Sequence, residues 1–151
     1  MSMLTVASGQ SVYRGYEYFL EKNVQGMEQA GEGLIRAIVA GNGGNTYETL
    51  IDIDHPKRSK CNCPHAAERP IVCKHMIAVY FTAFPAEAKK YIAELENCWE
   101  EEELRNQEQD DRLIQYVRRM KQNDLQEALL QLLFDGPEWQ YERFIRDNLE
   151  Y

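Results

Sequence analysis

The 151 residues predict an α+β protein: a small antiparallel β-sheet, a cysteine-rich loop leading into a helix, and a helical C-terminal region. Three observations carry this. Tyr47–Asp54 alternates apolar and polar side chains directly after the turn Gly41-Asn-Gly-Gly-Asn45, the signature of a hairpin. Residues 56–73 are polar and proline-broken yet hold three cysteines. From Lys74 onward the apolar residues recur at helical spacing.

In chain order, Gly15–Asn23 reads as an aromatic-rich strand, Val24–Gln29 as a second short strand and Leu34–Val39 as a third. The Gly/Asn turn tolerates positive φ and reverses the chain. In the next strand Tyr47, Thr49, Ile51 and Ile53 face one side while Glu48, Leu50, Asp52 and Asp54 face the other, as a period of two requires. His55-Pro56 stops it. Seventeen further residues without structure of their own would be unusual inside a compact domain, so something must hold the 56–73 segment. Met76, Ile77, Tyr80, Phe81 and Phe84 then mark a buried helix face, and Pro85 ends or redirects that helix. Ala88, Tyr91, Ile92, Leu95, Cys98 and Trp99 form a further helical stripe, which places Cys98 as a buried core thiol. Glu100–Glu103 reads as a solvated helix end or linker, with a new helix starting near Asp110 or Asp111 and carrying Leu113, Val117 and Met120. Asp124 and Glu127 have capping-box spacing. Pro137 suits the first turn of a last helix, packed through Trp139, Phe144, Ile145 and Leu149. The organisation expected is an α+β module over 1–84 and an acidic helical tail over 85–151 that packs on or beside it.

Composition narrows the function. There are 17 Lys+Arg against 25 Asp+Glu, a net of -8, which argues against a surface that grips nucleic acid everywhere. The acid is concentrated late: residues 91–151 hold 7 basic and 16 acidic side chains. Within 55–75, Lys57, Arg58, Lys60, Arg69 and Lys74 face Glu68 alone. No apolar stretch approaches the ~20 residues of a membrane span. The N-terminus has no secretory pattern, so a cytoplasmic location without membrane contact is expected. There, four cysteines do not form a disulfide framework by default.

Cys61-Asn-Cys63-Pro and Cys73-Lys-His75 supply thiolates and an imidazole, the donors zinc takes in a tetrahedral site. Cys61, Cys63 and Cys73 provide three ligands, and His75, two residues from Cys73 at a helix start, is the natural fourth. His65 inside the bend and His55 upstream are the alternatives. A Cys61–Cys63 disulfide would close a strained ring. With four protein ligands no position stays open for water, so the zinc expected is a single structural ion. It would tie the 56–73 loop between sheet and helix. The second nitrogen of His75 should meet a carboxylate or carbonyl.

The order Cys-x-Cys-Pro, a gap, then Cys-Lys-His and an apolar helix resembles the SWIM zinc finger family, over roughly residues 33–82. The resemblance implies zinc ligation by Cys61, Cys63, Cys73 and His75, and an association with DNA or with partner proteins. Two functions follow. One is an adaptor that contacts an unknown protein partner, favoured because the acidic tail would repel phosphate. The other is DNA or RNA contact through Lys57, Arg58, Lys60, Arg69 and Lys74. An enzyme is not expected: Gly41–Gly44 lacks the Lys and Ser/Thr of a phosphate loop, and Gly9 makes no nucleophile elbow. The Asp52/Asp54 pair reads as a strand edge. A Cys98–His75 thiol–imidazole pair conflicts with the place of Cys98 on an apolar stripe.

Overall fold

The computed structural model describes residues 2–149. They fall into two units, Met1–Glu96 and Asn97–Tyr151. The first begins with two helices, α1 (Met3–Val6) and α2 (Gly9–Leu20). Strands β1 (Val24–Gly31), β2 (Leu34–Ala40), β3 (Thr46–Asp52) and β4 (Lys60–Cys61) follow, then helix α3 (Lys74–Ala83). The strands form one antiparallel sheet in the order β1-β2-β3-β4. The small antiparallel sheet, the cysteine loop and the helices after it are therefore all present.

The expected strand at Gly15–Asn23 is instead the second half of α2, to Leu20, and the turn that follows it. Ser8 caps this helix, its Oγ accepting from the Ser11 N–H. Ser11, Val12, Gly15 and Tyr18 are its buried residues, a spacing only a helix gives. The aromatic residues that suggested a strand are spent on packing: Tyr16 lies 5.9 Å from the Phe81 ring, edge to face, and 5.8 Å from that of Tyr91.

The β2–β3 hairpin forms as the alternation requires. Ala40 pairs with Thr46, and the intervening turn puts Gly43 at φ 71° and Gly44 at φ 81°. Ala37, Val39, Thr49 and Ile51 point inward and are buried, whereas Ile38 and Glu48 on the other face are exposed. Helix α3 lies between this sheet face and α2. Met76, Ile77, Ala78, Val79 and Phe81 have no solvent exposure at all, so α3 is a core helix buried on nearly every side.

Helix α4 runs from Pro85 to Arg119 without interruption. The break expected around Glu100–Glu103 does not occur. No glycine or proline stands between Ala86 and Arg119, and Glu101–Arg105 and Glu108–Arg112 have the i,i+4 spacing that supports an exposed helix. Helices α5 (Gln122–Asp135) and α6 (Glu138–Asn148) complete the chain. Lys121 is the N-cap of α5 and Asp124 sits inside its first turn, so the expected capping box is not formed. Pro137 stands at the N-cap of α6. Among the described residues of the Asn97–Tyr151 unit, Leu133 alone is buried; Phe134 and Tyr141 meet at 6.2 Å, while Trp139 and Leu149 are exposed. Cys98 is exposed too, contrary to its expected core position. Among the described residues no helix is long and apolar enough to cross a membrane.

Candidate metal centre

Four local structures bring the donor atoms together. Cys61 is the last residue of β4 and pairs across the sheet with Thr49. Two residues on, the chain turns at Cys63-Pro64, where the Cys63 carbonyl accepts from the Ala66 and Ala67 N–H groups. Cys73 is the N-cap of α3 and His75 stands in its first turn. A pair two residues apart on a flat strand could not converge on one point. Here one pair bends at a strand end and the other at a helix start.

The result is a closed cluster. The Sγ atoms of Cys61, Cys63 and Cys73 and a ring nitrogen of His75 all lie within 4.8 Å of one another, and all four residues are buried. The Nδ1 of His75 is 3.7 Å from Cys61 Sγ and 3.9 Å from Cys73 Sγ. A tetrahedron with Zn–S of 2.3 Å and Zn–N of 2.0 Å has edges of roughly 3.5–3.8 Å, so donor type and spacing both fit a single zinc ion. His65 and His55 lie outside the cluster and are exposed. The His55 ring instead stands 3.6 Å from the Asp52 carboxylate.

Left to share protons among themselves, the three thiols divide unequally. A hydrogen bond from the Cys73 thiol holds Cys61 down to about 4 against the cost of burial, with further help from His75 and Thr49. Cys73, the donor of that bond and buried beside a thiolate, is held well above the ordinary thiol range. Burial raises Cys63. One thiolate is thus prepared for a metal and two protons remain to be displaced.

The surroundings add residues that spacing did not single out. Thr49 Oγ1 donates to Cys61 Sγ at 3.5 Å. A polar residue at an inward-facing strand position was the available signal. The Tyr47 ring stacks on His75 at 4.5 Å, and Tyr18 meets the imidazole edge to face at 5.4 Å. The expected acceptor for the second nitrogen is missing: His75 Nε2 is buried and has no hydrogen-bond partner among the described residues.

The five basic residues separate into two places. Lys57, Arg58, Lys60 and Arg69 line one groove of about 970 Å³, joined by Arg36 and facing Glu48 and Glu68. Lys74 is elsewhere. Its Nζ donates to the Tyr18 hydroxyl at 2.7 Å and lies 4.1 Å above that ring.

Residues 47–84, which span β3, the cysteine loop and α3, match the family model of the SWIM zinc finger. No curated protein and no solved structure matches the chain.

Proposed function

We propose that the protein is a zinc-binding adaptor, with a structural metal centre in one unit and a docking surface for a partner protein in the other. Four buried protein donors complete the coordination sphere, leaving no position for an activated water, so the reading gives zinc no catalytic part and the protein no enzymatic one. Three free thiols gathered in one cluster suit a reducing compartment such as the cytoplasm. The observation that carries the adaptor role is the apolar surface of the Asn97–Tyr151 unit. Leu125, Leu129, Leu130, Leu132, Phe134 and Trp139 are each at least 41% exposed. Apolar surface on this scale marks an interaction site more often than an idle one. A photoreactive side chain at Leu132 or Trp139, in cells that make the protein natively, tests it. A discrete protein adduct that Leu129→Glu abolishes is expected; adducts at neither position would overturn the reading.

The groove favours a second reading, contact with DNA or RNA. Lys57, Arg58, Lys60 and Arg69 converge there, and among the described residues none of them is in an ion pair. No aromatic side chain lines it, so it would hold backbone phosphate without stacking bases. Four phosphate contacts on a duplex imply a log–log salt slope near about -3.6. Binding to a labelled duplex that shows no salt dependence, or survives Arg58→Glu with Lys60→Glu, would exclude it.

A further inference from the structure

A cavity of about 390 Å³ lies beside the metal centre, within the size range of small-molecule sites. Helix α2 contributes Gln10, Arg14 and Tyr18, which share one face because they are four residues apart. Asn42 comes from the β2–β3 turn, and Lys74 and His75 from the start of α3. Among the described residues, two cations and no carboxylate line the cavity. Neither Arg14 nor Lys74 is in an ion pair among the described residues. Lys74 is instead positioned by the Tyr18 hydroxyl, which in turn donates to Asn42 Oδ1 at 3.1 Å.

The two N-caps, Ser8 of α2 and Cys73 of α3, both line this space, so two helix starts with their positive ends meet there. Cys73 makes no side-chain capping bond for α3. His75 also lines the cavity. Its Nδ1 faces the sulfurs, and Nε2, the nitrogen that carries the ring proton when Nδ1 binds a metal, is buried with no hydrogen-bond partner among the described residues. Imidazole ligands ordinarily hand this proton to an oxygen acceptor. Balancing the thiolates does not use up the positive charge. Zinc with three thiolates carries one net negative charge, whereas Arg14 and Lys74 bring two positive ones.

We propose that this cavity binds a small oxyanion group, the phosphate of a monoester or a carboxylate, held between Arg14, in the second turn of α2, and Lys74, at the start of α3. The site lies wholly in the Met1–Glu96 unit, so it stands whether or not the Asn97–Tyr151 unit docks a partner protein.

Titration of the zinc-loaded full chain with inorganic phosphate and, separately, with acetate tests it by two-dimensional amide NMR. Saturable shifts are expected at the amides of Gln10 to Arg14 and of Lys74 to Met76. Arg14→Gln should weaken binding roughly tenfold or more, because it removes a charge-assisted contact. Gln10→Glu should do the same by placing a carboxylate in the cavity, at an exposed position where an acid also suits the helix start. Lys89→Gln, at an exposed position on α4 outside both grooves, should leave binding unchanged. Saturation by phosphate at the lower concentration identifies a phosphate group as the ligand, and saturation by acetate at the lower concentration identifies a carboxylate. No saturable shift with either anion at tens of millimolar, full binding by both cavity variants, or an equal loss in Lys89→Gln would overturn the proposal.

Discussion

Gly15→Ala tests the packing that positions the metal centre. Gly15 is buried where α2 crosses α3. A Cβ there would stand 2.5 Å from both Cβ and Cγ2 of Ile77 and 2.9 Å from the Lys74 carbonyl oxygen. Ordinary contact begins at 3.4 Å, so the two helices would have to part by about 1 Å. Neither neighbour yields easily: Ile77 has no exposed surface, and the Lys74 carbonyl belongs to the helical turn that carries His75. Overpacking of this kind costs about 1–3 kcal/mol. Alanine in place of glycine inside a helix returns about 1 kcal/mol. The net expectation is a loss of up to about 2 kcal/mol, and weaker zinc retention if the first turn of α3 moves. Gly9→Ala in the same helix is the control, since a Cβ there meets nothing within 4 Å and should change stability by less than about 0.5 kcal/mol. Urea unfolding followed by circular dichroism, with zinc release read by a chromogenic chelator, measures both. A Gly15→Ala protein as stable as the Gly9→Ala protein would refute the close crossing of α2 and α3.

Further outcomes follow from the cluster. His75→Ala should lose most zinc in native mass spectrometry, while His65→Ala and Cys98→Ser keep one ion each, because the latter two residues lie outside the cluster. Thr49→Val keeps the shape of a buried side chain but removes the hydrogen bond to Cys61, so zinc affinity should fall about tenfold while the fold persists. Zinc binding near neutral pH should release about two thiol protons, since Cys61 is already a thiolate and Cys63 and Cys73 are raised. Protons and zinc compete for the same sulfurs, so affinity should drop as pH falls; an indicator-dye measurement showing no proton release would contradict this.

The metal centre was legible in the sequence because it is local. Cys61 with Cys63 and Cys73 with His75 are short-range pairs, and the strand before them and the helix after them each have a clear period. The ligand set did not depend on knowing the rest of the fold. Its surroundings did. Tyr18 and Tyr47 reach His75 from α2 and β3. Nothing in the spacing of the cysteines says that α2 passes there. The same holds for the basic residues: Lys57, Arg58, Lys60 and Arg69 share one groove, whereas Lys74, close to them in sequence, turns toward Tyr18 on α2.

The strand expected at Gly15–Asn23 and the burial expected of Cys98 fail for different reasons. Tyr16, Tyr18 and Phe19 look like strand residues because aromatic side chains favour strands. The helical evidence, the Ser8 cap and the buried set Ser11, Val12, Gly15 and Tyr18, begins upstream of them and spans two turns. A short window saw the composition and missed the period. At Cys98 the period itself was right and the inference from it was not. Ala88 is buried and Tyr91, Ile92 and Leu95 are half-buried, but Cys98 and Trp99, on the same stripe, are exposed. Periodicity reports which face of a helix is apolar, not what covers that face. The same stripe that helps close the core near Ala88 emerges as surface beyond Glu96. Apolar residues on α5 and α6 follow it there, with Leu133 alone buried among the described residues of that unit. In a chain of net charge -8, like charges around this apolar surface oppose its self-association. The adaptor proposed above needs that arrangement, with charge that opposes self-association and apolar area left to bury against a partner.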